Sequence, residues 1–368
     1  MDARAKALDD TLLWLCAIES PIGDEQALCD AVLARLSRLP LAAPVRRTLN
    51  SLVVPLTRSD ASGDKGPGSR KARPHIALVG HLDTVRTENG PARIEGDRCF
   101  GAGSSDMKSG LALMLVLAES MEAFPCDLTL VFYSREEGPF ADNELGPVLL
   151  ADPELSRVDL AVCLEPSDNH VQLGCNGSLH ATVTFEGNTS HSARPWQGEN
   201  AVTKAASFLA EMHARRPEAH TIDGFVWKSV MTVTQAKDGG RGKNVVPDRF
   251  VLNVNHRFPP DVSVEDAKAN VVSAVAGRAH VEFVDVSPPA PPNAKHPLVR
   301  ALLEAGVAGV APKQAWTDVG RFAALGIPAV NWGPGENAQA HQRNESTSLS
   351  LVHEGDRILR RFLHAAGA

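Results

Sequence analysis

Three short apolar runs each lead to a side chain able to bind a metal ion. Residues 75–80 run into His81, residues 127–133 stop just before Glu136, and residues 159–164 run into Glu165. Runs this short, separated by helical spacing over 108–122 and 145–150, read as buried parallel strands in an α/β sheet. The expected architecture is a mixed, mostly parallel sheet with helices on both faces. Open α/β sheets place their sites at the carboxyl ends of strands, which is where these side chains stand. Helical spacing also covers residues 8–18, ending near Pro21, and residues 25–36. Residues 59–74, rich in Ser, Gly, Lys, Asp and Pro, read as a solvated loop without chemistry.

Residues 177–287 follow another pattern. Strands are expected over 178–186, 229–235, 249–257 and 280–286, with helices over 198–215 and 263–275. That order, βαββαβ, is the split-βαβ or ferredoxin-like α+β arrangement, and the SPPAPP segment after it is a stiff connector. Two domains are therefore expected: a discontinuous one over 1–176 and 288–368, and an inserted one over 177–287. A chain of 368 residues is long for one core.

A formal charge of −7 argues against a nucleic-acid partner, which would need a basic face. Cys16, Cys29, Cys99, Cys126, Cys163 and Cys175 show no CxxC spacing and read as buried reduced thiols. Residues 1–20 lack a basic segment followed by an apolar run, so no signal peptide is expected. No apolar stretch reaches the roughly 18–20 residues that span a membrane. The expectation is a cytoplasmic protein with no membrane partner.

The chemistry concentrates in a few segments: His81 and Asp83 in VGHLDTV, Asp106 in GAGSSDMKSG, Glu136 and Glu137 in REEGP, Glu165 in CLEPS, and His341 in GPGENAQAHQRN. Carboxylates and imidazoles suit zinc and similar divalent ions. The carboxylates are too many for one tetrahedral zinc and about right for two ions sharing one of them. Each residue alone has a plainer reading. His81 could be a capping or packing residue after a strand, Asp106 could cap a helix, and Glu136 with Glu137 could be a solvated pair. Yet neighbouring strand ends are acidic too, and without cations such clustering repels. Asp83 lies two residues past His81 on the same side of an extended chain, so it reads as the partner that fixes the histidine's tautomer, not as a ligand. Adjacent Glu136 and Glu137 cannot easily point the same way, which suits one ligand and one general base. No nucleophile elbow occurs, GAGSSD lacks the GK[ST] of a phosphate loop, and GPGEN reads as a turn.

Taken together, HLDTV, GAGSSDMKSG, EEG, EP and the distant AH resemble the M20 family of metal-dependent amidohydrolases and peptidases over almost the whole chain. EPS…GCNGSL, SHSARPWQGENA, KNVVPDRFVLNVNHRF and WTDVGRFAALGIPAVNWGPG most resemble its succinyl-diaminopimelate desuccinylases. The resemblance implies two divalent ions, zinc first and cobalt or manganese otherwise. It gives one ion His81 and Glu165, the other Glu137 and His341, and has Asp106 bridge them. It makes Glu136 the general base. It also implies that His191 stabilises the oxyanion across a homodimer formed by the 177–287 lid. Asn244, Arg257, Thr317 and Ser178 would contact the substrate, Arg257 and Asn244 through its carboxylate. One departure stands out: the better-known desuccinylases carry paired arginines before the Gly-Ser that opens the lid, whereas Cys175 and Asn176 precede Gly177 and Ser178 here. Arg194 or Arg321 is the expected replacement. The reaction implied is hydrolysis of N-succinyl-LL-2,6-diaminopimelate, a small acylated amino acid, in lysine and cell-wall precursor synthesis. Acetylornithine deacetylase and metallo-carboxypeptidase are same-fold alternatives. A catalytically inactive metal-binding relative is the alternative from another class, and Glu136 speaks against it.

Overall fold

The strand His75–His81 lies at the middle of the larger sheet and carries its apolar run fully inside: Ile76, Ala77, Leu78 and Val79 are all buried. The computed structural model describes residues 2–57 and 73–367. The loop expected over 59–74 therefore falls almost wholly outside the described residues.

The chain forms two compact units. One comprises residues up to Gly174, Asn293–Ala311 and the described residues from Arg321 onward. Its eight-stranded sheet has the order Arg46–Thr48, Ser51–Thr57, Asp127–Tyr133, His75–His81, Leu160–Cys163, Ala329–Asn331, His170–Leu173, Gly309–Pro312. Four adjacent strands, from Asp127–Tyr133 to Ala329–Asn331, run parallel. Antiparallel strands flank them on both sides. The sheet is thus the mixed kind expected, with a parallel centre.

One helix sets the site. Lys108–Ser120 is buried from Lys108 to Ala118, and it packs on the His75–His81 strand and on the helices Ala3–Cys16 and Leu349–Ala365. Each buried leucine in it contributes about 1.5–3 kcal/mol of hydrophobic stabilisation. Two glycines allow the close approach. A Cβ on Gly80 would meet Leu111 and Met107 at 2.6 Å, and one on Gly110 would meet Leu164 at 2.7 Å. The helix start, with Asp106 just before it, is thereby pressed against the end of the His81 strand.

The second unit comprises Cys175–Pro292 and Pro312–Gly320; the segment expected as an insertion, 177–287, falls inside it. Its sheet is antiparallel throughout, in the order Glu218–Ile222, Phe225–Asp238, Arg249–Phe258, Gly177–Glu186, His280–Ser287. Helices Ala206–Ala214 and Val264–Val275 contribute Phe208, Met212, Val271 and Val275 to one core with Leu179, Val183, Leu252 and Val254 of the strands. The strand Glu218–Ile222 is one more than the βαββαβ pattern. EAHTI is a mostly exposed edge strand, so burial never imposed an apolar alternation on it. Its signal was the turn instead: Asp223 and Gly224, at φ +48° and +85°, form the two-residue hairpin loop for which Asp-Gly is favoured. The helix expected over 198–215 is broken after Lys204 into Ala201–Lys204 and Ala206–Ala214. Among the described residues, no helix is long and apolar enough to cross a membrane, and all six cysteines are free and buried.

Candidate metal centre

His81 ends its strand almost wholly buried. Its Nδ1 lies 3.0 Å from the backbone oxygen of Asp83 and 3.5 Å from the Asp83 carboxylate. The carbonyl therefore faces the ring more closely than the carboxylate does. The Asp83 carboxylate accepts the backbone N–H groups of Glu136 (3.0 Å) and Glu137 (2.9 Å). It ties the end of one strand to the turn after its neighbour. That turn needs Arg135 at φ +64°, a left-handed conformation costing a non-glycine residue roughly 1–2 kcal/mol. The two hydrogen bonds to Asp83 help hold it there.

Asp106 arrives from a glycine-rich loop. Gly103 has φ +76°, and a Cβ there would meet Thr84 at 2.6 Å, so glycine is required on both counts. The Asp106–Met107 peptide is cis. One Asp106 oxygen lies 3.2 Å from His81 Nε2, and the other lies 3.5 Å from His341 Nε2. His341, itself at φ +62°, lies 2.9 Å from Glu137 Oε1. Two triads result, His81–Asp106–Glu165 and Asp106–Glu137–His341, each with ligand atoms within 4.8 Å of one another. They share Asp106. Donors 2.0–2.2 Å from a zinc fall within such a span, so the donor set and its spacing fit divalent ions. Glu136 falls in a third group with His81 and Glu137.

The charges of this cluster are strongly coupled. Burial opposes ionisation of Asp106, but His341 and His81 hold its carboxyl well below the usual range. Burial also opposes a charged His81, yet Asp106 and Asp83 raise its pKa well above the ordinary value. Asp106 and Glu137 push His341 up to about 10. A raised folded-state pKa gives stability that is fully present below the unfolded value, about 6.5, and lost as pH rises through the folded one. The chelator-treated protein should therefore lose stability at this group as pH rises from 7 to 10. Added zinc should flatten the decline, because a ligating histidine must be neutral. Urea midpoints across that pH range, with and without chelator, measure this. A decline that persists undiminished in His341→Gln would refute the assignment.

One buried carboxylate was not legible in the sequence. Glu345, 2% exposed, accepts the backbone N–H groups of Gly103, Ser105 and Asp106, each at 2.8 Å. Burial pushes its pKa up to about 7, while the three N–H groups pull the other way. In sequence it is one polar residue in HQRNES, and its only signal is that it lies four residues past His341.

The other expected site residues lie in the second unit. Ser178 and Arg257 are cross-strand partners. Arg257 is half-buried, donates to Asn255 Oδ1 at 3.0 Å, and has its pKa lowered by burial. His191 is exposed, and its Nδ1 accepts the Ala193 N–H at 3.0 Å. The His191 and Asn244 segments lie side by side, the Ser192 N–H donating to the Asn244 carbonyl. Thr317 is buried, and its carbonyl accepts the Cys175 thiol. Asn176 is buried and donates to the Lys228 carbonyl. Of the two arginines expected to replace the missing pair, Arg194 is exposed. Arg321, in the first unit, stacks 3.8 Å over the Phe140 ring and donates to the Phe140 carbonyl.

Residues 77–365 match peptidase family M20/M25/M40. The chain belongs to that family. This M20 chain is 39% identical over 290 residues to a provisionally named succinyl-diaminopimelate desuccinylase, DapE, of Mycobacterium tuberculosis, covering 78% of the chain and 82% of that protein. It is 33% identical over 359 residues to the succinyl-diaminopimelate desuccinylase of Corynebacterium glutamicum, covering 95% and 94%. Solved structures share the fold. Aminopeptidase PepT of Bacillus cereus superposes with a TM-score of 0.77 at 19% identity, covering 99% of each chain. The YXEP protein of Bacillus subtilis, described as a dinuclear metal-binding M20 peptidase, gives 0.65 at 13% identity, covering 99% and 98%.

Proposed function

We propose that this M20 hydrolase cleaves the amide of N-succinyl-LL-2,6-diaminopimelate with water, giving succinate and LL-diaminopimelate. The observation that carries the chemistry is Asp106, whose two oxygens face His81 and His341 and so serve two triads at once. The desuccinylase relatives support the substrate. His81 and Glu165 would hold one divalent ion, Glu137 and His341 the other, with Asp106 shared; zinc, cobalt and manganese all suit these donors. When bound, such ions polarise the scissile carbonyl and lower the pKa of water at the site. Glu136 then accepts a proton from the attacking water and returns it to the departing amine. Asp83 positions the backbone of that turn. Ser178, Asn244, Arg257 and Thr317 are proposed to contact the substrate. The guanidinium of Arg257, already short of water, suits a carboxylate.

The test is turnover of the zinc- or cobalt-loaded protein on succinyl-diaminopimelate, N-acetylornithine and a dipeptide panel. A clear preference for the succinyl compound, abolished by chelator and restored by metal, is expected. Equal or better kcat/KM on acetylornithine or a dipeptide would overturn the substrate. Full activity in verified metal-free protein would overturn the metal reading.

We further propose that the second unit is a lid through which two copies pair, and that its His191 stabilises the oxyanion in the partner's site. His191→Ala and Glu136→Gln should each be nearly inactive alone. Co-expressed, they should regain activity well above the sum of the parents, because one site of the mixed dimer is complete. Mixed dimers verified by native mass spectrometry yet still inactive would place His191 within its own chain or outside the chemistry. Six free buried thiols support a cytoplasmic location; recovery of the activity in a secreted fraction would contradict it.

A further inference from the structure

We propose that Glu345 is a positioning residue that holds Asp106 in register between the two triads. The inference rests on the reading of Asp106 as the shared ligand. Among the described residues, the Glu345 carboxylate is engaged by main-chain N–H groups alone. Gly103 donates to one oxygen, and Ser105 and Asp106 both donate to the other. Its own carbonyl accepts the Gly101 N–H at 3.0 Å, and its own N–H donates to Asn89 Oδ1 at 2.8 Å. A single residue thus fastens the 101–106 loop at four points. The last of these is the backbone of Asp106 itself.

The chemistry requires a carboxylate. Three inward N–H groups reach both oxygens, and a carboxyl group offers lone pairs on both where an amide offers them on one. An amide of the same shape must turn its NH₂ toward Gly103 or toward the Ser105–Asp106 pair, setting N–H against N–H. The place in the chain matters as well. His341 and Glu345 stand on one short segment, so the stretch that supplies a ligand to one triad also fixes the carboxylate common to both. Asp83 does the same for the Glu136–Glu137 turn. Both glycine- or turn-borne segments of the site are therefore held by a buried carboxylate accepting main-chain N–H groups.

A merely structural Glu345 would lower thermal stability and leave the metal affinity of the folded protein unchanged. A positioning Glu345 changes the affinity itself. Partners of this kind behind metal ligands are worth about 10–100-fold in metal affinity. In Glu345→Gln, zinc affinity measured by competition with a chromophoric chelator should fall by about that factor. At saturating zinc, kcat should fall with little change in KM. Wild-type affinity in folded Glu345→Gln would overturn the proposal. A wild-type protein that binds no zinc would overturn the ligand reading, and this proposal with it. Should Glu345→Gln fail to fold, amide hydrogen exchange on the wild-type chelator-treated protein decides. The Gly103, Ser105 and Asp106 amides should be protected as strongly as those of the Lys108–Ser120 helix. Fast exchange at those three amides would overturn the proposal.

Discussion

Glu136→Gln should keep its metal content and lose at least two orders of magnitude in turnover. The substitution preserves shape and leaves the backbone untouched, because Glu136 is held by its N–H to Asp83 Oδ1, which glutamine donates equally well. It removes the basic carboxylate, and proton transfer by a placed general base is worth roughly 10²–10⁴-fold. Two arrangements compete. Glu137 meets His341 and Asp106 in a triad, whereas among the described residues Glu136 groups only with His81 and Glu137 itself. If Glu136 were a ligand, its amide would weaken metal binding and the loss would be partly rescued by excess zinc. Elemental analysis of the variant beside its kcat separates the cases. A drop in bound metal means that the roles of Glu136 and Glu137 are exchanged.

Legibility in the sequence followed burial. The strands His75–His81 and Asp127–Tyr133 were readable because both faces are covered, which leaves an unbroken apolar run that stops where the site begins. The edge strand Glu218–Ile222 has no buried face to impose a pattern, so only its Asp-Gly turn betrayed it. Ligand candidates were legible by type, since histidine and carboxylates after strands form a small set. What the carboxylates of Asp83 and Glu345 accept was not. Their partners are main-chain N–H groups, and every residue but proline has one. Glu345 meets a loop some 240 residues earlier, and nothing in HQRNES distinguishes an acceptor of three main-chain groups from a solvated acid. The break in the helix after Lys204 likewise lies between Ala205 and its neighbours, residues without a breaking signal of their own.

The second large effect belongs to Asp106. Asp106→Asn should empty both halves of the site, whereas His341→Ala should empty one. One carboxylate oxygen faces His81 at 3.2 Å and the other faces His341 at 3.5 Å. An asparagine can present an oxygen to only one of them. Its NH₂ then turns two hydrogens toward the other cation position, and the negative charge that served both is gone. Among the described residues, His341 belongs only to the triad with Asp106 and Glu137, so its loss leaves His81, Asp106 and Glu165 in place. The stabilisation that bound ions give a hydrolytic transition state is several kcal/mol, and at about 1.4 kcal/mol per decade its loss is on the order of 10³-fold in rate. Metal stoichiometry at matched free zinc distinguishes the variants: fewer than one ion per chain for Asp106→Asn, about one for His341→Ala. An Asp106→Asn protein that still holds one ion firmly would show that the two triads bind independently, and would remove the shared carboxylate on which the two-ion reading stands.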